Sequence, residues 1–390
     1  MNATERASAS AGTTMSAAEA QPESASDAVS APPLDLQRLG AYLAREAPGF
    51  HGLRSAERFV GGNSNPIWRI EADSGRYILR TQPAGELLKS AHALDREARV
   101  LGALQRSAVP VPRLRVLCND LDVVGVQFYL MDFVDGTVHR DIRLPDVPRA
   151  DRCGIYEAAI DSLVAIHQVH LTACGLADFG RPGNYFERQL HRWTQQYRAA
   201  MPEGSPAMDA LIAQLEVLIP QVSVDAEDAA CAVLLHGDSR LDNLMFARGS
   251  ARVVAVLDWE LSTLGHPLAD LGQFLGVQEL PHDYLLPGLR GIDRAALGLP
   301  TQDALAERYL RATGRDGGAG SDTATDLRFY KAFAMFRQAA MSAGLRRRAA
   351  LGTAVAESAR AFGATMDIFS LTGLDILDAG QRAERAWSTR

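Results

Sequence analysis

Between Arg58 and Gln82 apolar and polar positions alternate in two runs, "IWRIEA" and "YILR", joined by "DSG" and preceded by "GGNSN". Alternation with a period of two marks half-buried strands, and Gly-, Asn- and Asp-rich connections are hairpin chemistry. This stretch therefore predicts strand, Gly-rich turn, strand, "DSG" turn, strand. From Ser90 to Ser107 the period changes: Leu94, Ala98, Leu101 and Leu104 recur at helical spacing, and Ser90 stands where a capping hydroxyl belongs. "VPVP" ends that helix. A further hairpin, "RLRVLCND" and "VQFYLMDFV" about "DLDVVG", completes a small, mainly antiparallel sheet with one helix.

After "DGTV" the pattern is mostly helical from about residue 150 to 220. Two short strands follow, "CAVLLH" and "ARVVAVLDW", and the pattern is helical again from Pro267 to the end. The fold class is α+β, a small antiparallel sheet followed by a mainly helical part. No internal repeat is visible. "GRDGGAGSDT" (Gly314 to Thr323) is rich in glycine, but no strand precedes it, so it fails as a dinucleotide fingerprint.

Composition narrows the function classes. The chain has 390 residues, 47% hydrophobic and 22% charged, which is the balance of a globular protein with a sizeable core. A formal net charge of -7 lacks the basic footprint of a nucleic-acid binder. No apolar run approaches the roughly 18 residues that a membrane span needs. Cys118, Cys153, Cys174 and Cys231 are scattered without metal-ligand spacing or a disulfide framework, which fits a reducing, cytoplasmic compartment. The first 33 residues are mostly Ala, Ser, Thr, Glu and Pro with no large apolar side chain but Met. Such a stretch buries too little to offset its ordering entropy and is expected to be a disordered tail, neither secretory signal nor transit peptide.

The chemistry concentrates in "LLHGDSRLDNLMF", Leu234 to Phe246. Asp238 and Asn243 stand five residues apart between two strand-like runs, and Asp258 ends the next strand, "VVAVLD". An Asn and an Asp with a second Asp offer hard oxygen ligands suited to Mg²⁺, which keeps waters and substrate phosphates in its shell. The remaining Asp can orient a hydroxyl and accept its proton. Phosphoryl transfer from ATP needs these roles and little covalent work from the protein. The kinase catalytic loop has the same Asp-to-Asn spacing.

"HGDSRLDN" followed by "LDWE" resembles the aminoglycoside phosphotransferase and choline kinase superfamily, whose fold is similar to that of protein kinases. The longer text "LLHGDSRLDNLMF…VVAVLDWELSTLGHPLADLG" resembles the kinase-like domain fused to acyl-CoA dehydrogenases in animals, and its free-standing bacterial relatives. The likeness runs over roughly Arg58 to Gly352. It implies a two-lobed, protein-kinase-like fold: a tail over 1–33, a nucleotide-clamping N-lobe over 34–134, and a catalytic and acceptor-binding C-lobe over 135–390.

By that resemblance Asp238 is the catalytic base, and Asn243 and Asp258 hold Mg²⁺. Gly62, Asn63, Ser64 and Asn65 form the loop over the ATP phosphates, where glycine lets backbone N–H groups approach an anion; a plain hairpin would read the same. Kinases place a Lys on the third strand, and here Arg80 occupies that position, as in the acyl-CoA-dehydrogenase-linked branch. Its candidate partner is Glu97, which shares a helical stripe with Leu94, Leu101 and Leu104 and would be costly facing inward unless paired; a side chain that escapes to solvent is the alternative. The Arg leaves a weak or inactive kinase open. Backbone groups of Met131 and Phe133 lie where the hinge would meet adenine. His236 is expected to pack and hydrogen-bond within the loop, Asp270 to cap or brace it, and Asp242 to stay at its surface or brace it. Glu260 is open between metal and solvent. His167 and His170 have helical spacing but no third ligand, so packed or capping roles are expected.

From Leu327 to Gly352 the charged residues are Arg328, Lys331, Arg337, Arg346, Arg347 and Arg348, with no acid. Arg337, Met341 and Arg348 share one helical face. A site for polycationic aminoglycosides should be lined with carboxylates, and this segment is the reverse. It suits an acceptor bearing phosphates or a carboxylate, with Arg337 and Arg348 as contacts; a solvated basic helix end, favoured by the macrodipole, would look the same. The resemblance implies a hydroxyacyl-CoA acceptor. The expected function is an ATP- and Mg²⁺-dependent kinase of small-molecule hydroxyls, binding nucleotide and acceptor but neither nucleic acid nor membrane. A non-catalytic binding module and an aminoglycoside-type phosphotransferase remain the alternatives.

Overall fold

The computed structural model describes residues 34–59, 65–83, 94–226, 232–315, 323–350 and 361–388. The tail over 1–33, Ser90, Gly62, Asn63 and Ser64 lie outside the described residues.

The first part is a five-stranded antiparallel sheet of β1 (Leu53–Arg58), β2 (Ile67–Ala72), β3 (Gly75–Thr81), β4 (Leu114–Cys118) and β5 (Phe128–Asp132), in the order β1-β2-β3-β5-β4. The first strand ends at Arg58, where the sequence pattern places its start. Helix α1 (Leu36–Glu46), not foreseen, precedes the sheet; the Asp35 carboxylate caps it by accepting from the N–H groups of Gln37 and Arg38. Helix α2 (Leu94–Leu104) lies where the helical period predicts one.

The sheet's two faces bury different cores. Strand side chains alternate between faces. Tyr77, Leu79, Phe128 and Leu130 therefore join Leu39 and Leu43 of α1 in one cluster. Tyr129, one residue out of phase, joins Leu94, Ala98 and Leu101 of α2 in the other. Arg80 pairs in register with Tyr129, so it faces α2 as well. A cation thereby enters an apolar layer at the position where α2 presents Glu97.

A short turn of helix, α3 (Leu121–Val124), sits in the β4–β5 connection of the first part; the second part is mainly helical, with α4 (Arg152–His167), α5 (Tyr185–Ala200) and α6 (Pro206–Ala226) following the sheet. Two small sheets then hold the central loops. β6 (Thr137–Val138) pairs with β8 (Leu244–Phe246), which pairs with β9 (Val253–Val256); β7 (Val233–Leu235) pairs with β10 (Thr263–Gly265). These pairings pin both ends of the segments 236–243 and 257–262. Helices α7 (Leu268–Gly276), α8 (Arg294–Leu297), α9 (Gln302–Ala312), α10 (Thr323–Ala350) and α11 (Met366–Ser388) complete this part. Helix α7 crosses α10 closely: a Cβ on Gly272 would stand 2.5 Å from the carbonyl carbon and oxygen of Tyr330, so only glycine permits the approach.

Candidate active site

The loop from His236 to Asn243 is held by groups that leave few of its polar atoms to chance. Asp270, fully buried at the start of α7, accepts from the N–H of His236 at 2.7 Å and of Gly237 at 2.9 Å. His167 Nε2 lies 3.3 Å from the same carboxylate, and its Nδ1 lies 2.6 Å from the Tyr309 hydroxyl. Burial alone would raise the Asp270 pKa, but the hydrogen bond and charge of His167, the neighbouring His236 and the Gly237 N–H pull it below the ordinary carboxylate value. His167 is thus packed into a hydrogen-bonded chain behind the loop. His170 caps a turn by accepting from the Ala173 N–H. Gly237 has φ +85°, a left-handed conformation that suits glycine, and a Cβ there would stand 2.3 Å from the Leu261 carbonyl oxygen.

His236 stays within the loop. Its Nδ1 accepts from the Asp238 N–H at 3.2 Å, so Nε2 carries the proton that bonds the Leu257 carbonyl at 2.7 Å. Asn243 donates Nδ2 to the Asp238 carbonyl at 2.8 Å and to Asp238 Oδ2 at 3.2 Å. The Asp238 side chain remains 19% exposed. Its other oxygen, Oδ1, receives the amides of Gln273 and Gln338, each at 3.3 Å. Arg240, two residues on, lies 3.8 Å from Asp238 and 2.6 Å from Asp242. Burial works against its charge, but Asp238, Asp242 and Asp258 outweigh that and raise its pKa. Arg240, Gln273 and Gln338 are contacts that sequence reading missed. A cation two residues after the loop Asp is visible in "DSR"; nothing local marks the two glutamines.

Arg80 connects the sheet to this centre. Its Nη1 donates to Glu97 Oε1 at 2.9 Å, and its Nη2 lies 3.1 Å from both Asp258 Oδ1 and Glu260 Oε2. Burial opposes the guanidinium charge, yet Glu97, Tyr129, Asp258 and Glu260 raise its pKa. Glu97 is only 2% exposed, and burial pushes its pKa up to about 7 against the pull of Arg80. Glu260, open between metal and solvent from sequence, faces Arg80. Asp258 has φ 63° and ψ 66°, a left-handed backbone that a non-glycine residue adopts at a cost and that is common at functional sites.

The donor set fits Mg²⁺. Nδ2 of Asn243 is turned to Asp238 and Oδ1 of Asp258 to Arg80, which leaves the Asn243 carbonyl oxygen and the second Asp258 oxygen as the atoms that would bind a hard cation. Among the described residues no three His, Cys, Asp or Glu side chains cluster as a metal site. A cation here would complete its shell with phosphate and water, as Mg²⁺ does.

The remaining candidates are placed less simply. Asn65 is buried, and its Oδ1 has no hydrogen-bond partner among the described residues. Met131 lies inside the sheet, opposite Ile78 and Leu114. The Phe133 N–H already donates to the Arg76 carbonyl at 3.2 Å, so that donor is not offered to a ligand. The basic face of α10 needs correction. Arg337 is 4% exposed and donates to the Gly237 carbonyl, so it braces the loop and does not line an open surface. Lys331 pairs with Glu279 of another segment at 2.7 Å. Arg346, Arg347 and Arg348 are exposed at the end of α10. No described helix is long and apolar enough to cross a membrane.

Comparison with known proteins places the chain in a family. The phosphotransferase enzyme family matches residues 55–322. Mouse acyl-CoA dehydrogenase family member 10 is 40% identical over 307 residues, covering 78% of this chain and 28% of that protein. The chain spans less than half the length of the curated relatives it matches. A crystal structure from Ralstonia eutropha, provisionally assigned as an aminoglycoside phosphotransferase, is 38% identical with a TM-score of 0.77, covering 89% of this chain and 99% of that one. A thermostable aminoglycoside phosphotransferase in ternary complex with ADP and hygromycin B is 14% identical with a TM-score of 0.53, covering 86% and 98%, and shows the fold alone. The two-part, kinase-like α+β architecture expected from the sequence is the architecture found, and the chain belongs to the phosphotransferase enzyme family.

Proposed function

We propose that this protein is an ATP- and Mg²⁺-dependent kinase that transfers the γ-phosphoryl group to the hydroxyl of a small acceptor, a hydroxyacyl-CoA or related hydroxy acid. The observation that carries this is the Asp238 carboxylate, partly exposed and fixed by Asn243, in the same charged cluster as the Arg80–Asp258 contact. Residues 34–134 act as the nucleotide clamp and 135–390 as the catalytic and acceptor-binding part.

Asn243 and Asp258 would hold Mg²⁺, which when bound neutralises phosphate charge. Arg80 offers a planar guanidinium toward the phosphates while Glu97 fixes its position. The loop containing Gly62, Asn63, Ser64 and Asn65 would cover them. The adenine edge meets the carbonyl of Phe133 and the peptide groups after it, since Met131 sits within the sheet. Asp238 orients the acceptor hydroxyl and accepts its proton as the oxygen bonds to phosphorus and the bond to the ADP oxygen breaks. Arg240 holds the loop's carboxylates together around that step.

The acceptor class rests on two supports. Relatives carry acyl-CoA dehydrogenase names, and the exposed end of α10 bears three consecutive arginines, suited to an anionic acceptor and unsuited to a polycation. A second function is favoured by one observation: Arg80 stands where kinases carry Lys and contacts Asp258 and Glu260, which suits a nucleotide-holding module without chemistry.

Labelled ATP offered with hydroxyacyl-CoAs, free hydroxy acids and aminoglycosides separates these outcomes. Transfer to a hydroxyacyl-CoA or hydroxy acid, abolished by Asp238→Asn with nucleotide binding retained, is the expected result. Turnover of aminoglycosides alone overturns the acceptor. Mg²⁺-dependent thermal stabilisation by ATP without transfer to any acceptor makes the chain a binding module.

A further inference from the structure

We propose that Gln338 and Gln273 are positioning residues for Asp238, holding one oxygen of its carboxylate from two separate helices. This rests on the kinase function proposed above.

The two carboxylate oxygens of Asp238 have different surroundings. Oδ2 is approached by the loop's own side chains, Asn243 Nδ2 at 3.2 Å and Arg240 Nε at 3.8 Å. Oδ1 is approached by Gln273 Nε2 of α7 and Gln338 Nε2 of α10, both at 3.3 Å. Contacts on both oxygens fix the plane of the carboxylate as well as its position, which a contact on one oxygen leaves free to rotate. Held on both oxygens, the carboxylate keeps a single orientation toward the acceptor.

Both glutamines are buried, Gln273 at 0% and Gln338 at 2% exposure, so neither amide has water as an alternative partner. Gln273 Oε1 is buried with no hydrogen-bond partner among the described residues. Turning that amide over would place its oxygen against the carboxylate, so Nε2 faces Asp238 although its own carbonyl goes unbonded. A buried, half-satisfied amide is an unfavourable choice for a purely structural position, where an apolar residue of similar size would serve better. An amide also grips the carboxylate without adding a second cation beside Arg240.

The crossing of α7 and α10 makes this grip possible. Gly272 lets α7 come against Tyr330, which brings the next residue, Gln273, to the same oxygen as Gln338. Arg337, the residue before Gln338, holds the Gly237 carbonyl. Helix α10 thus grips the loop's backbone with one residue and its reactive side chain with the next.

The test pairs kinetics with a stability cycle in the full chain. Gln338→Met matches length and removes the donor. It is expected to lower kcat by about tenfold or more, equivalent to about 1.4 kcal/mol, while the KM for acceptor and the Kd of a non-hydrolysable ATP analogue stay within about twofold. In urea unfolding, its effect is expected to vanish in an Asp238→Ala background, because the partner is gone. An unchanged kcat, or effects that add across that cycle, overturns the proposal. Gln273→Met carries the same expectation and decides the matter if Gln338→Met does not fold. If the unaltered protein transfers phosphate to no acceptor, the kinase function fails, and the stability cycle still decides whether these amides hold Asp238.

Discussion

Arg80 and Glu97 meet 2.9 Å apart on the face of the sheet that α2 covers, and Glu97 is only 2% exposed there. Burial outweighs the attraction of Arg80 and pushes the Glu97 pKa up to about 7. A carboxyl whose folded pKa is raised above its unfolded value stabilises the fold most at low pH and loses that contribution as pH rises through the folded value. Stability is therefore expected to decline between the ordinary carboxylate range and about pH 7. The ionised form is the one that fixes Arg80 by charge, so kcat/KM for ATP is expected to rise over the same interval. Glu97→Gln should flatten both trends. Urea midpoints and kcat/KM measured across that interval check this, and a rise in activity that survives Glu97→Gln assigns it to another group.

Arg80→Lys tests the geometry of the cation. Arg80 reaches Glu97 with one nitrogen and Asp258 and Glu260 with the other. A single ammonium has no such span and serves one side at a time. The loss of stability should be below the about 3–5 kcal/mol expected when a buried cation is removed outright. Nucleotide affinity should fall several-fold. Thermal unfolding with and without an ATP analogue measures both, and unaltered affinity would show that the fork is dispensable.

Asp270 sits behind the loop with both oxygens engaged by backbone N–H groups. Asp270→Ala leaves two buried donors and His167 without their partner. At about 1–3 kcal/mol for each buried donor left unsatisfied, the loss should be about 2–6 kcal/mol. Asp270→Asn keeps one acceptor oxygen and should cost less. Since the Asp270 pKa is lowered in the fold, its contribution is present above the unfolded carboxylate value and is lost as pH falls through the lowered one. Acid titration of urea stability should therefore lose a component below the ordinary carboxylate range in Asp270→Asn. Equal acid sensitivity in the two proteins would remove Asp270 from that role.

What the chain discloses by itself follows the range of the signal. β2, β3 and α2 repeat their period over several residues, so they were legible, and the inward stripe of α2 exposed Glu97 as a residue needing a partner. β6 and β10 have two and three residues, too few for a period to show. α1 was passed over beside the polar tail, although Asp35 and the spacing of Leu39 and Leu43 mark it. Within the site, Asp238, Asn243 and Asp258 stood out because their carboxylate and amide groups interrupt apolar strands. Gln273 and Gln338 reach Asp238 across 35 and 100 positions, a proximity created by helix packing. Arg337 illustrates the converse: helical phase gave its face, but only the docking of α10 on the loop shows that this face is closed.

Gly237→Ala isolates the backbone of the loop from its side chains. Two penalties coincide at this residue. Its φ of +85° is open to glycine and strained for alanine, and the added methyl would stand 2.3 Å from the carbonyl oxygen of Leu261, which is backbone and has little room to move. Relief requires the 236–243 segment to shift away from 257–262, and those segments carry Asp238 and Asp258. The left-handed conformation alone costs about 1–2 kcal/mol, with the clash in addition. Phosphate transfer should fall more than stability does, because a shift of about 1 Å at reacting groups can lower a rate about a hundredfold. A urea midpoint and a transfer assay on the same preparation compare the two losses. Activity that declines only in proportion to the folded fraction would show that the spacing of the two segments is not what this glycine protects.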